Sequence, residues 1–328
     1  MRAPAFWHRP DGVLSRALSP VGAFFAAATA RRVARQPDYD PPCPVISVGN
    51  ANLGGTGKTP TVIALAERLQ ARGRNVMVIT RGYGGALAGP VQVDPNRHTA
   101  ADVGDEPLLH AAFCPTIVAR DRAAGARLAV EAGAEVLLLD DGHQTPTLRK
   151  DLSLLSVDAV AGFGNGRVVP AGPLRESVAA AARRAQFLLS IGPARAQTRF
   201  DETCPAAAKA LPRLKGSLVP LPMGLPWTDR RVLAFAGIGH PEKFFATLRA
   251  EGALVLRAEA LADHQPLTPS LMTRLETEAK ALTAQLVTTE KDFVRLPDRF
   301  RPKVLSLPVR LRLDDWTQLD AAFDDLGL

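Results

Sequence analysis

Hydrophobic residues alternate between strand-like and helix-like patterns over the first half of the chain. Short apolar runs at 45–48, 76–79, 116–118 and 136–139 are typical of buried strands. The stretches between them place apolar residues at helical spacing, as Val62, Leu65 and Leu69 do. Because each strand is followed by a helix, the pattern predicts an α/β fold class with a parallel sheet and helices on both faces.

The pattern changes beyond Ala185. A further apolar run at 186–190 is followed by prolines that predict an extended connection, at positions 205, 212, 220, 222 and 226. A second set of strands and helices begins at 231–236 and continues with strands near 253–256, 285–287 and 304–309. We therefore expect three parts: an N-terminal segment over 1–37, a larger domain over 38–226 and a second, smaller α/β domain over 227–328.

Composition places the chain among folded proteins of a reducing compartment. Of its 328 residues, 46% are hydrophobic and 22% are charged, which leaves enough apolar material for sizeable cores and excludes disorder as the main state. The three cysteines, Cys43, Cys114 and Cys204, are far apart and have no histidines at zinc spacing. Neither a disulfide framework nor a structural metal site is expected.

The N-terminal segment is basic and apolar. The chain has a net charge of +7, and its first 37 residues contain six arginines against the single acid Asp11. Between those arginines lies an uncharged stretch of 14 residues, 17–30, that includes Phe24 and Phe25. This is shorter than the roughly 20 residues of a spanning helix, so we expect an anchor at an anionic membrane surface. An ordinary first helix and a signal peptide remain alternatives.

The most informative motif follows the first predicted strand. Residues 49–59 read GNANLGGTGKT and precede a helical pattern, which is the strand–loop–helix context of a phosphate-binding loop (P-loop). Such a loop binds phosphate through backbone N–H groups, a lysine and the helix N-terminus. The usual opening glycine is replaced by asparagine, which tolerates left-handed backbone. The candidate nucleotide-binding residues are Asn52, Leu53, Gly54, Gly55, Thr56, Gly57, Lys58 and Thr59. The alternative is a glycine-rich turn without a ligand.

Carboxylates follow the apolar run at 136–139. Asp140 and Asp141 are expected at the carboxyl edge of the sheet, where such folds bind ligands. With Thr59 they are candidates for Mg²⁺ bound together with a nucleotide. A helix cap or a turn pair is the alternative.

Further charged residues are predicted at the same edge of the sheet. Arg81, Asp105, Glu106 and Arg122 follow the second and third predicted strands or begin the helix between them. Phosphoryl transfer needs a group that orients or deprotonates the acceptor. From spacing alone, the two acids could equally be helix N-terminal residues that favour the helix dipole. The two arginines could be solvated surface charges.

Eight sequence blocks, in order, carry a resemblance to a known family. They are VGNANLGGTGKTP, TRGYGG, GDEP, LLLDDGHQ, GNGRVVPAGPLRE, FAGIGHPEKFF, ADHQPLT and VTTEKD. Together they resemble the tetraacyldisaccharide 4'-kinase (lipid A 4'-kinase) family, over nearly the whole chain. The resemblance implies transfer of the γ-phosphate of ATP to the 4'-hydroxyl of tetraacyldisaccharide 1-phosphate, which forms lipid IVA. It also implies a location at the cytoplasmic face of the bacterial inner membrane.

The resemblance also implies roles for individual residues. Asp105 corresponds to the family's proton-accepting acid, and His264 corresponds to the histidine that orients it or raises its basicity; the residues alone do not distinguish His264 from His240. Lys58, which the phosphate-binding loop itself predicts to reach the terminal phosphates, is the third catalytic candidate. The implied Mg²⁺ ligands are Thr59, Asp140, Asp141 and Glu106. The implied contacts with the amphiphilic disaccharide lipid are Arg81, Tyr83, Gly84, Arg122, Gln144, Arg175 and Glu176. No role is assigned to the imidazole of His143.

Two other classes of protein fit the sequence less well. Partition-type switch ATPases have a signature lysine before the paired glycines, where this chain has Leu53. A nucleic-acid binder would explain the basic charge, but only 5% of residues are aromatic and the arginines are scattered. We therefore expect no nucleic-acid partner and no obligate protein partner. A kinase of a different amphiphilic sugar remains an alternative.

Overall fold

The computed structural model describes residues 4–9, 12–222 and 224–328, so Arg2 and Asp11 of the N-terminal segment lie outside the described residues. Its strands are β1 Val45–Gly49, β2 Val76–Thr80, β3 Val91–Gln92, β4 Thr116–Val118, β5 Val136–Asp140, β6 Leu152–Asp158, β7 Phe187–Ile191, β8 Arg213–Pro220, β9 Arg231–Ala236, β10 Leu254–Ala260, β11 Gln285–Thr289, β12 Val304–Leu307 and β13 Val309–Leu313.

Its α-helices are α1 Val13–Val33, α2 Lys58–Ala71, α3 Ala100–Val103, α4 Asp105–Ala111, α5 Arg122–Glu131, α6 Val178–Ala182, α7 Ala194–Thr203, α8 Ala206–Lys209, α9 Pro241–Ala250, α10 Pro269–Ala281, α11 Glu290–Phe293 and α12 Thr317–Asp325. Two 3₁₀ helices cover Ala5–His8 and Asp298–Lys303.

The larger sheet has the strand order β13-β8-β7-β6-β1-β5-β2-β4-β3. The strands from β8 to β4 are parallel to one another, and β13 and β3 add antiparallel edges. Because β1 lies between β5 and β6, the loop that follows β1 is central on the carboxyl edge. The predicted fold class is confirmed.

Side chains alternate between the two faces of this sheet. Ile46 and Val48 of β1 pack with α2 and α12 on one face, whereas Val45 packs with α5 on the other. The central strands are fully buried because helices cover both faces, which explains their continuous apolar runs. This core supports the loops at the carboxyl edge.

The smaller sheet is four-stranded and entirely parallel, in the order β10-β9-β11-β12. Helix α9 contributes Phe244 and Phe245 to one of its faces, and α10 contributes Met272 and Leu275 to the other. The chain enters this unit after β8 and leaves it before β13. These two crossings run side by side, since Leu221 N donates a 2.9 Å hydrogen bond to Pro308 O.

Two segments differ from the sequence-based expectation. The stretch expected to be an extended connection contains β8, whose Leu214 is buried in the core of the larger sheet. The C-terminal segment does not stay in the smaller unit, because β13 pairs with β8 and Leu319 and Phe323 of α12 join the same core. The smaller unit therefore ends near residue 308, and the chain from Val309 onward belongs to the larger one.

Helix α1 is longer than its uncharged stretch and makes few contacts with the rest of the chain. It has 21 residues, and its buried residues are Ser15 and Gly22. Asn165 Nδ2 donates to Ser15 Oγ over 3.0 Å, and a Cβ on Gly22 would lie 2.7 Å from Val168 O. Within the described part of the chain, α1 is the one helix long and apolar enough to cross a membrane, judged by length and composition only.

Candidate active site

The glycines of the loop between β1 and α2 leave space at the carboxyl edge. A Cβ on Gly54 or Gly55 would meet no atom within 4 Å, whereas a Cβ on Gly57 would lie 2.6 Å from Ile191 Cδ1. Gly57 also has a φ of 82°, a left-handed conformation that favours glycine. Gly57 therefore shapes the turn into α2, and the open side of the loop can admit a phosphate group.

The loop is tied internally to its neighbouring strand. Asn50 Nδ2 donates to Gly54 O over 3.2 Å and to Thr56 Oγ1 over 3.0 Å. Thr56 Oγ1 is 2.9 Å from Ser156 Oγ on β6. All these contacts lie beneath the loop, so they fix its shape before any ligand binds.

Asn52 has a different role from the one expected. It is not among the residues of the described chain that have a positive φ. Instead its Nδ2 donates to Gly162 O over 3.0 Å, and the next residue, Leu53, donates its N–H to Pro173 O over 2.7 Å. The asparagine side chain anchors the start of the loop to the segment after β6, which a glycine could not do.

Lys58, the first residue of α2, faces a carboxylate. Its Nζ lies 3.5 Å from Asp141 Oδ1, and Arg175 Nη1 lies 2.9 Å from Asp141 Oδ2. Burial opposes ionisation of Asp141, but Lys58 and Arg175 lower its pKa below the ordinary value. Asp141 also has a φ of 54°, so its backbone is strained at this position. Two cations therefore meet one carboxylate beside the loop.

Asp140 is more deeply buried than Asp141. It pairs with Val48 in the β1–β5 ladder, which places it beside the start of the loop. Its Oδ2 is 3.1 Å from His110 Nε2, and Arg122 Nη2 donates to its main-chain oxygen over 3.2 Å. Burial would raise the pKa of Asp140, but His110, Lys58 and Arg122 lower it. The carboxylate is thus ionised inside the core.

Asp105 and His264, predicted to act together, are in contact. His264 Nδ1 lies 2.9 Å from Asp105 Oδ2, and Lys291 Nζ lies 3.3 Å from His264 Nε2. The tautomer with the proton on Nδ1 suits both contacts, because it places an N–H beside the carboxylate and leaves Nε2 to accept from the ammonium group. His264 has a φ of 56°, which is rare for a non-glycine residue.

The contact shifts the pKa of each partner. Burial raises the pKa of Asp105, but its close contact with His264 and the charges of Lys291 and Arg295 lower it below the ordinary value. The pKa of His264 is raised, chiefly by its contact with Asp105. His264 therefore favours the ionised form of Asp105.

The smaller unit supplies two further cations to this cluster. Lys291 of α11 makes a 2.9 Å ion pair with Glu106, and Arg295 Nε is 3.7 Å from Asp105 Oδ2. Arg295 also pairs with buried Asp292, whose Oδ2 accepts the Gly237 N–H over 3.0 Å. Because His264 N also donates to Gly237 O over 3.0 Å, these residues fix the loop that carries the histidine.

The seven candidate lipid contacts fall into two groups. Arg81, Tyr83 and Gly84 are exposed, and the Tyr83 ring is edge-to-face with His264 at a centroid distance of 5.6 Å. Arg122, Gln144, Arg175 and Glu176 are buried or half-buried and have protein partners.

Three of the buried or half-buried candidates, Gln144, Arg175 and Glu176, form a connected network. Gln144 Nε2 donates to Glu176 Oε1 over 2.9 Å and to Asn50 O over 2.8 Å, and Arg184 Nη2 donates to both Glu176 carboxylate oxygens over 2.6 and 2.7 Å. This network supports the segment that follows β5. Nearby His143 is also buried and contacts Ala181 O at 3.0 Å, and burial lowers its pKa to about 4.

The candidate metal ligands do not form a ready cluster. Within the described ranges there is no group of three or more His, Cys, Asp or Glu side chains that could hold a metal ion by themselves. Mg²⁺ commonly takes one or two carboxylates, with phosphate oxygens and water completing its shell. Asp140 Oδ1 fits this need because it is buried and has no hydrogen-bond partner among the described residues. Thr59 is the second residue of α2, while Glu106 is already paired with Lys291.

Three residues of this site were missed as candidates. His110, Lys291 and Arg295 each contact a predicted functional carboxylate. Lys291 lies within the VTTEKD block, so the resemblance contained a signal for it. His110 and Arg295 had no comparable signal, because their positions beside Asp140 and Asp105 arise only from tertiary packing.

The phosphate-binding loop lies between a buried strand and a helix, and an acid ends the adjacent strand. These features define a P-loop nucleotide-binding protein. The acid–histidine pair is suited to phosphoryl transfer. The family model described as tetraacyldisaccharide-1-P 4'-kinase (LpxK) matches residues 14–327. The chain belongs to this family.

Individual relatives agree over nearly their whole length. The chain is 62% identical to tetraacyldisaccharide 4'-kinase of Dinoroseobacter shibae over 99% of this chain and 98% of the relative. It is 58% identical to the same enzyme of a Jannaschia species, with coverage of 99% and 98%. A crystal structure of LpxK from Aquifex aeolicus in complex with ATP aligns with a TM-score of 0.75 and 26% identity, over 96% of this chain and 99% of that one. The expected family and kinase class are confirmed.

Proposed function

We propose that the chain transfers the γ-phosphate of ATP to the 4'-hydroxyl of tetraacyldisaccharide 1-phosphate and so forms lipid IVA. Membership of the family supports the reaction. The observation that carries its assignment to this site is the contact between Asp105 and His264, 2.9 Å long and formed across the two units. It provides an ionised carboxylate at the same sheet edge as the P-loop.

The residues divide the reaction between them. Asp105 accepts the proton of the 4'-hydroxyl through a carboxylate oxygen, while His264 orients that carboxylate through Nδ1–H. Lys58 and the loop from Asn52 to Thr59 bind the ATP phosphates and stabilise charge that develops during transfer. Bound Mg²⁺, held by Asp140, Asp141 and Thr59, would neutralise phosphate charge.

Glu106 is proposed to act indirectly. Its 2.9 Å ion pair with Lys291 positions that lysine against His264, so Glu106 contributes to the arrangement of the acid–histidine pair. Arg81, Tyr83 and Gly84 are exposed, and the Tyr83 ring contacts His264; these three residues are proposed to contact the sugar lipid directly. Arg122, Gln144, Arg175 and Glu176 are proposed to shape its site from beneath.

We propose that catalysis requires the two units to approach each other. Asp105 and Glu106 belong to the larger unit, whereas their partners His264 and Lys291 belong to the smaller one. Separation of the two units would therefore break both contacts. The distribution of distances between spin labels on α5 and α10 should lose any longer-distance component when an ATP analogue and the acceptor bind. An unchanged distance distribution would contradict this proposal.

We propose that α1 holds the protein at the cytoplasmic face of the inner membrane. Phe24, Phe25 and Val13 are exposed on this helix, which also carries Arg31 and Arg32 near its C-terminal end. Exposed apolar residues next to arginines suit the interface of an anionic bilayer. The substrate is amphiphilic, so the same surface would bring enzyme and acceptor together.

The first experiment follows label from γ-labelled ATP to tetraacyldisaccharide 1-phosphate in detergent micelles with magnesium. Lys58→Ala is compared with Lys280→Ala, a control at a lysine whose side chain is 74% exposed. Transfer that is lost only in Lys58→Ala would support the proposal. No transfer by the unaltered protein, with ATP still bound, would refute the acceptor and favour another sugar lipid.

A further inference from the structure

His110 and Asp140 form a pair inside the core that the proposed reaction does not explain. The His110 side chain is fully buried, the Asp140 side chain is 2% exposed, and Nε2 lies 3.1 Å from Oδ2. An ionised carboxylate only accepts hydrogen bonds, so the contact places the ring proton on Nε2. His110 Nδ1 has no hydrogen-bond partner among the described residues. Among the described residues, the carboxylate is therefore the single hydrogen-bonding contact of this ring.

The two oxygens of Asp140 have different surroundings. Oδ2 accepts from His110, whereas Oδ1 is buried without a partner in the described chain. Leaving a charged oxygen unpaired in the core costs stability. An unpaired buried carboxylate oxygen next to a phosphate-binding loop is expected where a bound ligand interacts with that oxygen. The His110 contact also prevents rotation that would exchange the two oxygens.

His110 lies on the helix that begins with the proposed proton acceptor. Helix α4 is Asp105–Ala111, so Asp105 starts it and His110 lies in its last turn. A helix rises about 1.5 Å per residue, which separates the two positions by roughly 7 to 8 Å along its axis. One short rigid element thus contacts both the smaller unit, through Asp105, and the acid at the end of β5, through His110.

We propose that His110 is a positioning residue, which holds Asp140 so that Oδ1 faces the nucleotide-bound Mg²⁺. Because Asp105 begins the same helix, α4, His110 also fixes the position of the Asp140 carboxylate relative to Asp105. This inference rests on the proposed function, since it assigns Asp140 to Mg²⁺. Residues that orient a metal ligand typically change metal affinity by about 10- to 100-fold when they are removed. A pair that only stabilises the core would change unfolding but not metal affinity.

The test compares two amides at position 110 in the full-length chain. In His110→Gln the amide N–H can reach the position of Nε2, whereas the shorter side chain of His110→Asn cannot. Thr116→Val is the matched control, because it removes another buried hydrogen bond, from Thr116 Oγ1 to Cys114 O at 2.8 Å, away from Asp140. Each protein is titrated with Mn²⁺ in the presence of ADP and followed by electron paramagnetic resonance, without lipid; thermal unfolding is measured in parallel.

We expect His110→Asn to bind Mn²⁺ about 10-fold or more weakly than the unaltered protein, and His110→Gln to restore most of the affinity. Binding of ADP in EDTA should be unchanged in both, because the P-loop contacts remain. Equal Mn²⁺ affinities for His, Gln and Asn at this position would overturn the inference, as would an equal loss in Thr116→Val. Failure of lipid phosphorylation would refute the proposed acceptor and leave these metal measurements intact.

Discussion

His264 Nδ1 lies 2.9 Å from Asp105 Oδ2, and this contact joins the loop after β10 to the first residue of α4. The histidine reaches the carboxylate only because Gly237 accepts its backbone N–H and a buried pair, Asp292 and Arg295, holds Gly237. The orientation of the proposed proton acceptor therefore depends on the smaller sheet, which is remote from the phosphate-binding loop in sequence.

Replacing His264 should change the pH dependence of the reaction. Asp105 must be ionised to accept a proton, and His264 lowers its pKa against the opposing effect of burial. In His264→Ala the pKa of Asp105 rises, so the acidic limb of the kcat/KM profile moves to higher pH. Loss of orientation should also lower kcat by about 10²- to 10⁴-fold.

The control for this prediction is His240→Ala, which removes the histidine that the residues alone could not distinguish from His264. Within the described chain His240 makes no hydrogen bond or ion pair with Asp105, and its pKa is lowered mainly by burial. Its profile should retain the acidic limb of the unaltered protein. An unshifted limb in His264→Ala would mean that Asp105 is not the titrating base.

An added methyl group should have different effects at Gly55 and at Gly57 of the phosphate-binding loop. In Gly55→Ala the methyl group enters open space, so the free energy of unfolding should be nearly unchanged while ATP binds more weakly. In Gly57→Ala it meets Ile191 Cδ1 at 2.6 Å and the backbone has a φ of 82°, which costs about 1–2 kcal/mol from the conformation alone. Denaturant unfolding and ATP titration of both variants separate these effects.

If Gly55→Ala bound ATP as tightly as the unaltered protein, phosphate would not occupy the open side of the loop. If Gly57→Ala were as stable as the unaltered protein, the turn would tolerate an ordinary side chain despite its φ of 82° and the close approach of Ile191.

The local elements of the larger sheet could be predicted because their patterns are continuous. The apolar runs of β1, β2 and β5 reflect burial on both faces, and the glycine-rich loop lies directly between β1 and α2. The sequence could not place β13, because its alternating Val309 to Leu313 pattern fits either sheet. Its position follows from long-range pairing with β8 and from the packing of α12.

The same distinction applies to the site. Lys58 and Asp140 are adjacent to strongly patterned strands, so sequence reasoning reached them directly. The partners of Asp140 and Asp105, His110 and Arg295, lie on elements whose contacts are set by packing between distant segments. The resemblance supplied His264, which spacing alone could not distinguish from His240.

The return of the C-terminus to the larger unit gives a stability prediction. Phe323 of α12 is fully buried in the core with Leu65 and Leu69 of α2, and Arg72 Nη1 is 2.9 Å from Asp324 Oδ1. Phe323→Ala should lower the free energy of unfolding by about 3–5 kcal/mol. The matched control, Asp324→Ala, should cost about 1 kcal/mol or less because the Asp324 side chain is largely exposed.

Chemical denaturation followed by fluorescence and circular dichroism measures both values. A change below about 1 kcal/mol in Phe323→Ala would place α12 outside the core of the larger sheet and restore the simpler division of the chain at 227.

The exposed face of α1 predicts how the protein binds membranes. Phe24 is 73% exposed and Phe25 is 49% exposed, so transfer of both rings into a bilayer interface should contribute a few kcal/mol. Phe24→Ser combined with Phe25→Ser should abolish binding to vesicles at both low and high salt. Arg31→Gln combined with Arg32→Gln should weaken binding by about 2 kcal/mol, roughly 30-fold, and only where the vesicles contain anionic lipid.

Cosedimentation with vesicles of phosphatidylethanolamine, with and without phosphatidylglycerol, distinguishes these contributions. Lys280→Gln, an exposed charge change on α10, serves as the control and should bind like the unaltered protein. The phenylalanine variant should still phosphorylate acceptor dispersed in detergent, because Asp105 and the phosphate-binding loop are untouched. Vesicle binding that survives both the phenylalanine change and deletion through Arg35 would locate the membrane contact elsewhere on the protein, since α1 would then contribute neither apolar area nor charge to it.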